Sequence, residues 1–132
     1  MILCYCCSGD SFTHCCEPYL ENIIAPETAE ALMRSRYSAY VLAKVDYLLS
    51  TTHHSTRKSY SASSIKKRAT SCNWLKLEII STEKGFLEDT TGIVEFKAYY
   101  LNEKKFPHIH QEKSNFTKEN GRWYYVDGTV TA

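Results

Sequence analysis

A chain of 132 residues fits one globular domain with a small appendage, since domains typically run to about 100–150 residues. Its 43% hydrophobic and 13% aromatic content can fill a core, and ten tyrosines point to an interior or cavity with polar tips. A net charge of +1 excludes any general electrostatic drive toward nucleic acid or an anionic membrane.

Met1-Ile2-Leu3 is the only apolar run ahead of the first cysteine. It is far short of a signal peptide's apolar region of about 7–15 residues, and no membrane span is expected. A cytoplasmic, reducing location follows as the expectation, which argues against a disulfide framework.

The first element is a cysteine cluster. Five of the six cysteines lie in the first sixteen residues, and only Cys72 falls elsewhere. Thiolates this dense oxidise and repel one another. A Zn²⁺ ion holds them tetrahedrally and contributes folding free energy to a segment too short for a core. Cys4-x-Cys6-x8-Cys15-Cys16 supplies four ligands: two close a tight turn, a short loop follows, and an adjacent pair completes the tetrahedron. Four thiolates leave no open coordination position, so the ion's expected role is structural rather than hydrolytic. Cys7 is a surplus thiol able to compete as a ligand, and His14 is placed to substitute for Cys15 or Cys16. Free or disulfide-linked thiols and an iron–sulfur cluster are the alternatives.

Glu17-Pro18-Tyr19 opens a connection that ends at Ala25-Pro26. Pro26 and Thr28 then read as a helix start, with Thr28 as N-cap and Glu30 in the first turn. Ala29, Leu32/Met33, Arg36/Tyr37 and Tyr40/Val41 recur at helical spacing over about 28–42. A short helix over 44–51 presents Val45, Leu48 and Leu49, and 55–61 reads as a polar loop. A third helix spans 63–72, capped by Ser63 or Ser64. From Trp74 the period changes to two, giving strands over 74–80, 92–101, 108–118 and 122–127. A turn region surrounds Gly85, and Asn120-Gly121 closes the last hairpin. Helices followed by an antiparallel meander predict an α+β fold, a curved sheet wrapped over helices.

The cysteine spacing, with Ser8-Gly9 after the first pair and an aromatic at Phe12, resembles the SEC-C motif, a zinc-binding knuckle found at the C-terminus of the SecA translocation motor. Glu30-Ala31-Leu32-Met33-Arg34-Ser35-Arg36-Tyr37-Ser38-Ala39-Tyr40-Val41 and Gly121-Arg122-Trp123-Tyr124-Tyr125-Val126-Asp127-Gly128 resemble the bacterial YchJ family, in which such a motif precedes a domain similar to nuclear transport factor 2. The resemblance covers nearly the whole chain. It implies a knuckle at 1–20 and a cone-shaped domain at 21–132. There are two departures. Tyr5 and Cys7 stand where the family usually has Pro and Gly, and the sequence ends Gly128-Thr129-Val130-Thr131-Ala132 without the second cysteine motif that many members carry.

The concave face of the cone is the second candidate site. Arg34, Arg36, Tyr37 and Tyr40 lie on the first long helix, where an arginine either captures an anion or locks helix to sheet through backbone carbonyls. His53 and His110 are candidate cavity histidines, beside His54 and His108. Asp46, Glu95, Glu112 and Asp127 are possible carboxylate partners that no spacing singles out. Trp123 and Tyr125 share a face of the last strand. Between Tyr47 and Leu77 there are six basic residues and no acidic one, a weak nucleic-acid candidate without a known signature.

The expected function is a zinc-binding, non-enzymatic protein whose knuckle contacts a protein or ribosomal partner, as the resemblance to a knuckle that in SecA contacts SecB implies. The alternative is a small-molecule binder or enzyme using the cavity. Cone-shaped domains of this kind often pair through their sheets, so a homodimer is a further expectation.

Overall fold

In the computed structural model, which describes residues 2–131, a 3-10 turn (Phe12–His14) and α1 (Glu17–Leu20) precede four further helices, α2 (Ala29–Leu42), α3 (Val45–Ser50), α4 (His54–Arg57) and α5 (Ala62–Ser71). Four strands follow: β1 (Asn73–Lys84), β2 (Thr91–Leu101), β3 (Pro107–Glu119) and β4 (Arg122–Val130).

α2 is the central element. The Thr28 hydroxyl accepts from the Ala31 N–H at 3.0 Å, and Ala43 ends the helix at a φ of 55°. None of its 14 residues is exposed. Besides the apolar positions at helical spacing, Ser35, Arg36 and Ser38 are buried. The serines are small enough to let other segments close in. Ser35 Oγ donates to Leu32 O (2.7 Å) and meets Tyr47 Oη at 2.6 Å, which docks α3. Ser38 Oγ lies 3.8 Å from Cys4 Sγ, which docks the cysteine segment. These hydroxyls find their partners inside the protein, so their burial carries little cost.

The strands form an antiparallel meander in sequence order. Register shifts at Trp74/Lys76, Ile79/Ser81 and Asn115/Phe116 bend it. Asn120 and Gly121, at φ 53° and 78°, make the tight hairpin that the sequence predicts. The inner face, carrying Leu77, Val94, Phe96, Ala98, Phe116 and Trp123, packs with Leu32, Met33 and Tyr37 of α2. Cys4, Cys6 and Cys16 belong to this same buried cluster, so the knuckle is packed into the core rather than hung from it.

Several local readings change. Residues 17–20, expected as connection, form a helical turn with Pro18 in its first turn, where a missing N–H costs nothing. The expected loop at 55–61 contains most of α4. α5 is capped not by Ser63 or Ser64 but by Ser61, whose hydroxyl accepts from the Ser64 N–H at 3.2 Å. β1 and β4 run beyond their expected ends, because pairing of Lys84 with Gly92 and of Val130 with Glu112 supplies ladder hydrogen bonds that local composition does not reveal.

Candidate metal centre and cavity

The sulfur atoms of Cys4, Cys6, Cys15 and Cys16 lie within 4.8 Å of one another. Backbone bonds set this up: Cys4 N donates to Asp10 O (2.8 Å) and Cys7 N to Cys4 O (3.2 Å), folding the first pair into a turn. Cys15 N donates to Phe12 O (3.1 Å), which carries the second pair back. Cys6 and Cys15 Sγ are 3.6 Å apart and Cys15 and Cys16 Sγ 4.0 Å. A tetrahedral ion with metal–sulfur bonds of about 2.3 Å needs sulfurs about 3.8 Å apart, so the donor set fits one ion. It is too tight for a multi-iron cluster, and no pair approaches the S–S bonding distance of about 2.05 Å.

The hydrogen bond from Cys16 holds Cys6 down to about 4. Burial pushes Cys15 up to about 11, and donation to Cys6 pushes Cys16 up as well. The group therefore favours one shared thiolate over several, and a divalent ion displaces the protons that the remaining thiols hold. Ser8 Oγ sits 3.2 Å from Cys15 Sγ. Arg34 Nη1 donates to Cys6 O (2.8 Å) and reaches Cys6 Sγ at 3.9 Å, while its Nε pairs with Glu30 at 2.9 Å. A cation there offsets the excess negative charge that four thiolates bring to a divalent ion.

Cys7 is exposed, with its sulfur 3.7 Å from Tyr5 O, and stands outside the four. His14 Nδ1 is engaged by Ser11 Oγ at 2.9 Å. Cys7 has a φ of 66°, the left-handed region that glycine adopts freely. Cys7→Gly is therefore expected to stabilise the protein by about 0.5–1 kcal/mol, the relief of strain exceeding the added freedom of the unfolded chain. Thermal unfolding checks this: a midpoint that stays put or falls would mean that the Cys7 side chain itself contributes.

On the far side of α2 lies a cavity of about 340 Å³, lined by Arg36, Tyr37, Tyr40, His110 and Tyr125 among the sequence candidates. Trp74, Phe96, Glu112, Ile65 and Arg68 also belong to its wall, together with Met33 and Ala98. Arg36 Nη1 donates to Leu48 O (2.9 Å), Thr51 Oγ1 (2.8 Å) and Thr52 Oγ1 (3.3 Å), tying α2 to the end of α3. Its Cζ sits 4.6 Å from the centre of the Tyr125 ring. Glu112 is buried. Burial works to raise its pKa, but hydrogen bonds from His110 Nε2 (2.9 Å), Ser114 Oγ (2.6 Å) and Tyr125 Oη (2.8 Å) outweigh it and hold the carboxyl down to about 2. Gly128 packs against this carboxylate so closely that a Cβ would collide with it.

Three cavity candidates lie elsewhere. Arg34 faces the knuckle, because positions two apart on a helix differ by about 200° and Arg36 takes the sheet side. His53 is carried past the cavity by the bridge between Thr52 and Tyr125. It packs on Tyr124, on the opposite face of β4 to Tyr125, and bonds Glu119 at 2.6 Å. With His54 these three form a second, surface-lying set of possible metal ligands, already paired with each other. Trp123 is buried, its indole N–H donating to Glu27 O at 3.1 Å, and lines a different hollow. The basic stretch is dispersed: Arg57 Nε donates to Thr52 O, Arg68 faces His110 at 3.5 Å, and Lys76 lies over Tyr99.

Sequence reasoning left Glu112 unselected and did not name Glu119. The first was findable. His110, Glu112 and Ser114 alternate along β3 and so share a face. Glu119 gave no such sign, since its histidine partners are more than 60 residues away.

Residues 28–128 match the family model described as YchJ, middle NTF2-like domain. The chain is 42% identical over 127 residues to a UPF0225 protein of Photorhabdus laumondii, covering 96% of this chain and 79% of that one. It is 45% identical over 125 residues to a UPF0225 protein of Chromobacterium violaceum, covering 94% and 90%. The solution structure of a SEC-C motif containing protein from Rhodopseudomonas palustris superposes with a TM-score of 0.89 at 32% identity, over 98% of each chain. The crystal structure of another, from Psychrobacter arcticus, gives 0.78 at 32% identity, over 95% of this chain and 75% of that one.

Proposed function

The chain belongs to the YchJ family, and from that premise we propose that it is a zinc-knuckle interaction protein: Cys4, Cys6, Cys15 and Cys16 hold one structural Zn²⁺, and the surface they stiffen receives a protein partner, free or ribosomal. The ion supplies cross-linking and no open position for catalysis. One observation carries this reading. Cys15 and Cys16 of the cluster, with Ser8 and His14 of the same segment, form one wall of a groove of about 430 Å³, faced by Glu30 and Arg34 of α2, by Thr82 and Lys84 of β1 and by Phe86 just past its end. Phe86 beside it is 65% exposed, an apolar anchor on a polar rim of the kind interfaces favour. No helix among the described residues is long and apolar enough to cross a membrane.

Affinity purification of the tagged protein from its own lysate tests this, with Cys15→Ser/Cys16→Ser and Phe86→Glu run beside it. A partner captured by the native protein should be lost with both variants. Phe86→Glu separates the groove from the fold, because it leaves the ligands in place. Capture that persists in the double cysteine variant overturns the reading.

A further inference from the structure

The cavity on the sheet side of α2 plays no part in the knuckle and carries the marks of a ligand site. At about 340 Å³ it sits at the small end of organic-ligand pockets, about 300–1,000 Å³. Arg36 is only 7% exposed, yet its hydrogen bonds all leave from Nη1 and all go to neutral oxygens. Among the described residues neither Nε nor Nη2 has an acceptor, and no carboxylate oxygen lies within 4.0 Å of the guanidinium. Among the described residues, every side-chain polar atom that is sealed from solvent has a partner. The unpaired nitrogens of Arg36 are therefore reached through the cavity that it lines. Burial opposes its charge.

The chemistry of the walls narrows the ligand. Nε and Nη2 form one edge of a planar fork that matches two carboxylate oxygens. The opposing carboxylate, Glu112, is already met by His110, Ser114 and Tyr125. Arg36 and Arg68 against Glu112 leave the wall with one positive charge, which a monoanion cancels and a dianionic phosphate overshoots. Met33, Ile65, Phe96 and Ala98 give the remaining wall an apolar character. We propose that this cavity binds a small monocarboxylic acid with an apolar or aromatic body, its carboxylate held by Nε and Nη2 of Arg36.

Titration of the isotope-labelled full chain with benzoate, benzamide and inorganic phosphate, read by amide chemical shifts, tests it. Benzoate should move the amides of Phe96, Ala98, His110 and Glu112 saturably, and benzamide, its uncharged isostere, should bind at least about tenfold more weakly. Ala98→Leu fills the cavity without touching Arg36, and Arg36→Lys keeps the charge but loses the fork; each should weaken benzoate by at least about tenfold. The native titration alone keeps the idea falsifiable if a variant misfolds. Benzamide binding as well as benzoate, phosphate moving the same amides more strongly, an unaffected Ala98→Leu chain, or no saturable shift with benzoate would each overturn the proposal.

Discussion

Cys6→Ser combined with Cys16→Ser, or removal of the ion by a strong chelator, is expected to unfold more than the first twenty residues. In small knuckles a structural thiolate-bound ion contributes about 10–16 kcal/mol, as much as the about 5–15 kcal/mol that holds a whole domain together. Here the two cannot be separated, because Cys4, Cys6 and Cys16 share one buried cluster with Leu32, Met33, Phe96, Phe116 and Trp123. Loss of even about 4 kcal/mol lowers the unfolding midpoint by about 10–20 °C in a domain of this size. Circular dichroism melts of the metal-loaded and chelated protein, with metal content measured on each, give the answer. Because the thiols must lose protons to bind, the loaded state should weaken as pH falls. A chelated protein that melts at the loaded protein's temperature would show that the cluster contributes nothing through metal.

The second large effect belongs to Glu112. Its folded carboxyl is held at about 2 against an ordinary 4.5. A depressed pKa contributes stability that is fully present above the unfolded value and is lost as pH falls through the folded one. The contribution is therefore complete above pH 4.5 and fades toward pH 2. At about 1.4 kcal/mol per pKa unit it amounts to about 3 kcal/mol. Glu112→Gln resembles the protonated side chain and should cost that amount at neutral pH. The gap between variant and native should close below pH 4.5. Paired denaturant curves read this as a difference, so metal loss in acid, common to both proteins, cancels. A gap that does not change with pH would mean that the carboxylate's charge does no stabilising and that only its shape matters. The same measurement bears on Arg36, whose stacking partner Tyr125 donates to Glu112.

Much of the architecture was legible because it rests on short-range periodicity. Thr28 and the apolar spacing after it define α2, and alternation from Trp74 onward with Asn120-Gly121 defines the meander. What failed locally was decided by long-range pairing. Residues 54–57 became helical beside β4, where Thr56 Oγ1 donates to Val126 O at 2.7 Å, and no feature of 55–61 announces that contact. Cys7 shows a subtler case: it takes the positive φ that glycine adopts freely, and spacing alone exposed only a surplus thiol.

By itself the sequence determined that Cys4, Cys6, Cys15 and Cys16 lie close enough along the chain to meet, and that helices precede an antiparallel sheet. It could do so because a loop of eight residues and a helical or strand repeat act over distances the chain spans locally. Only the tertiary structure decided that Arg34 serves the knuckle while Arg36 serves the cavity, that His110 meets Glu112 on an inward face, and that His53 turns instead to Glu119. The repeat sets the direction in which a side chain leaves its element. What it meets there is set by the packing of segments far apart in sequence, and for a buried charge the nature of that meeting is the whole of its chemistry.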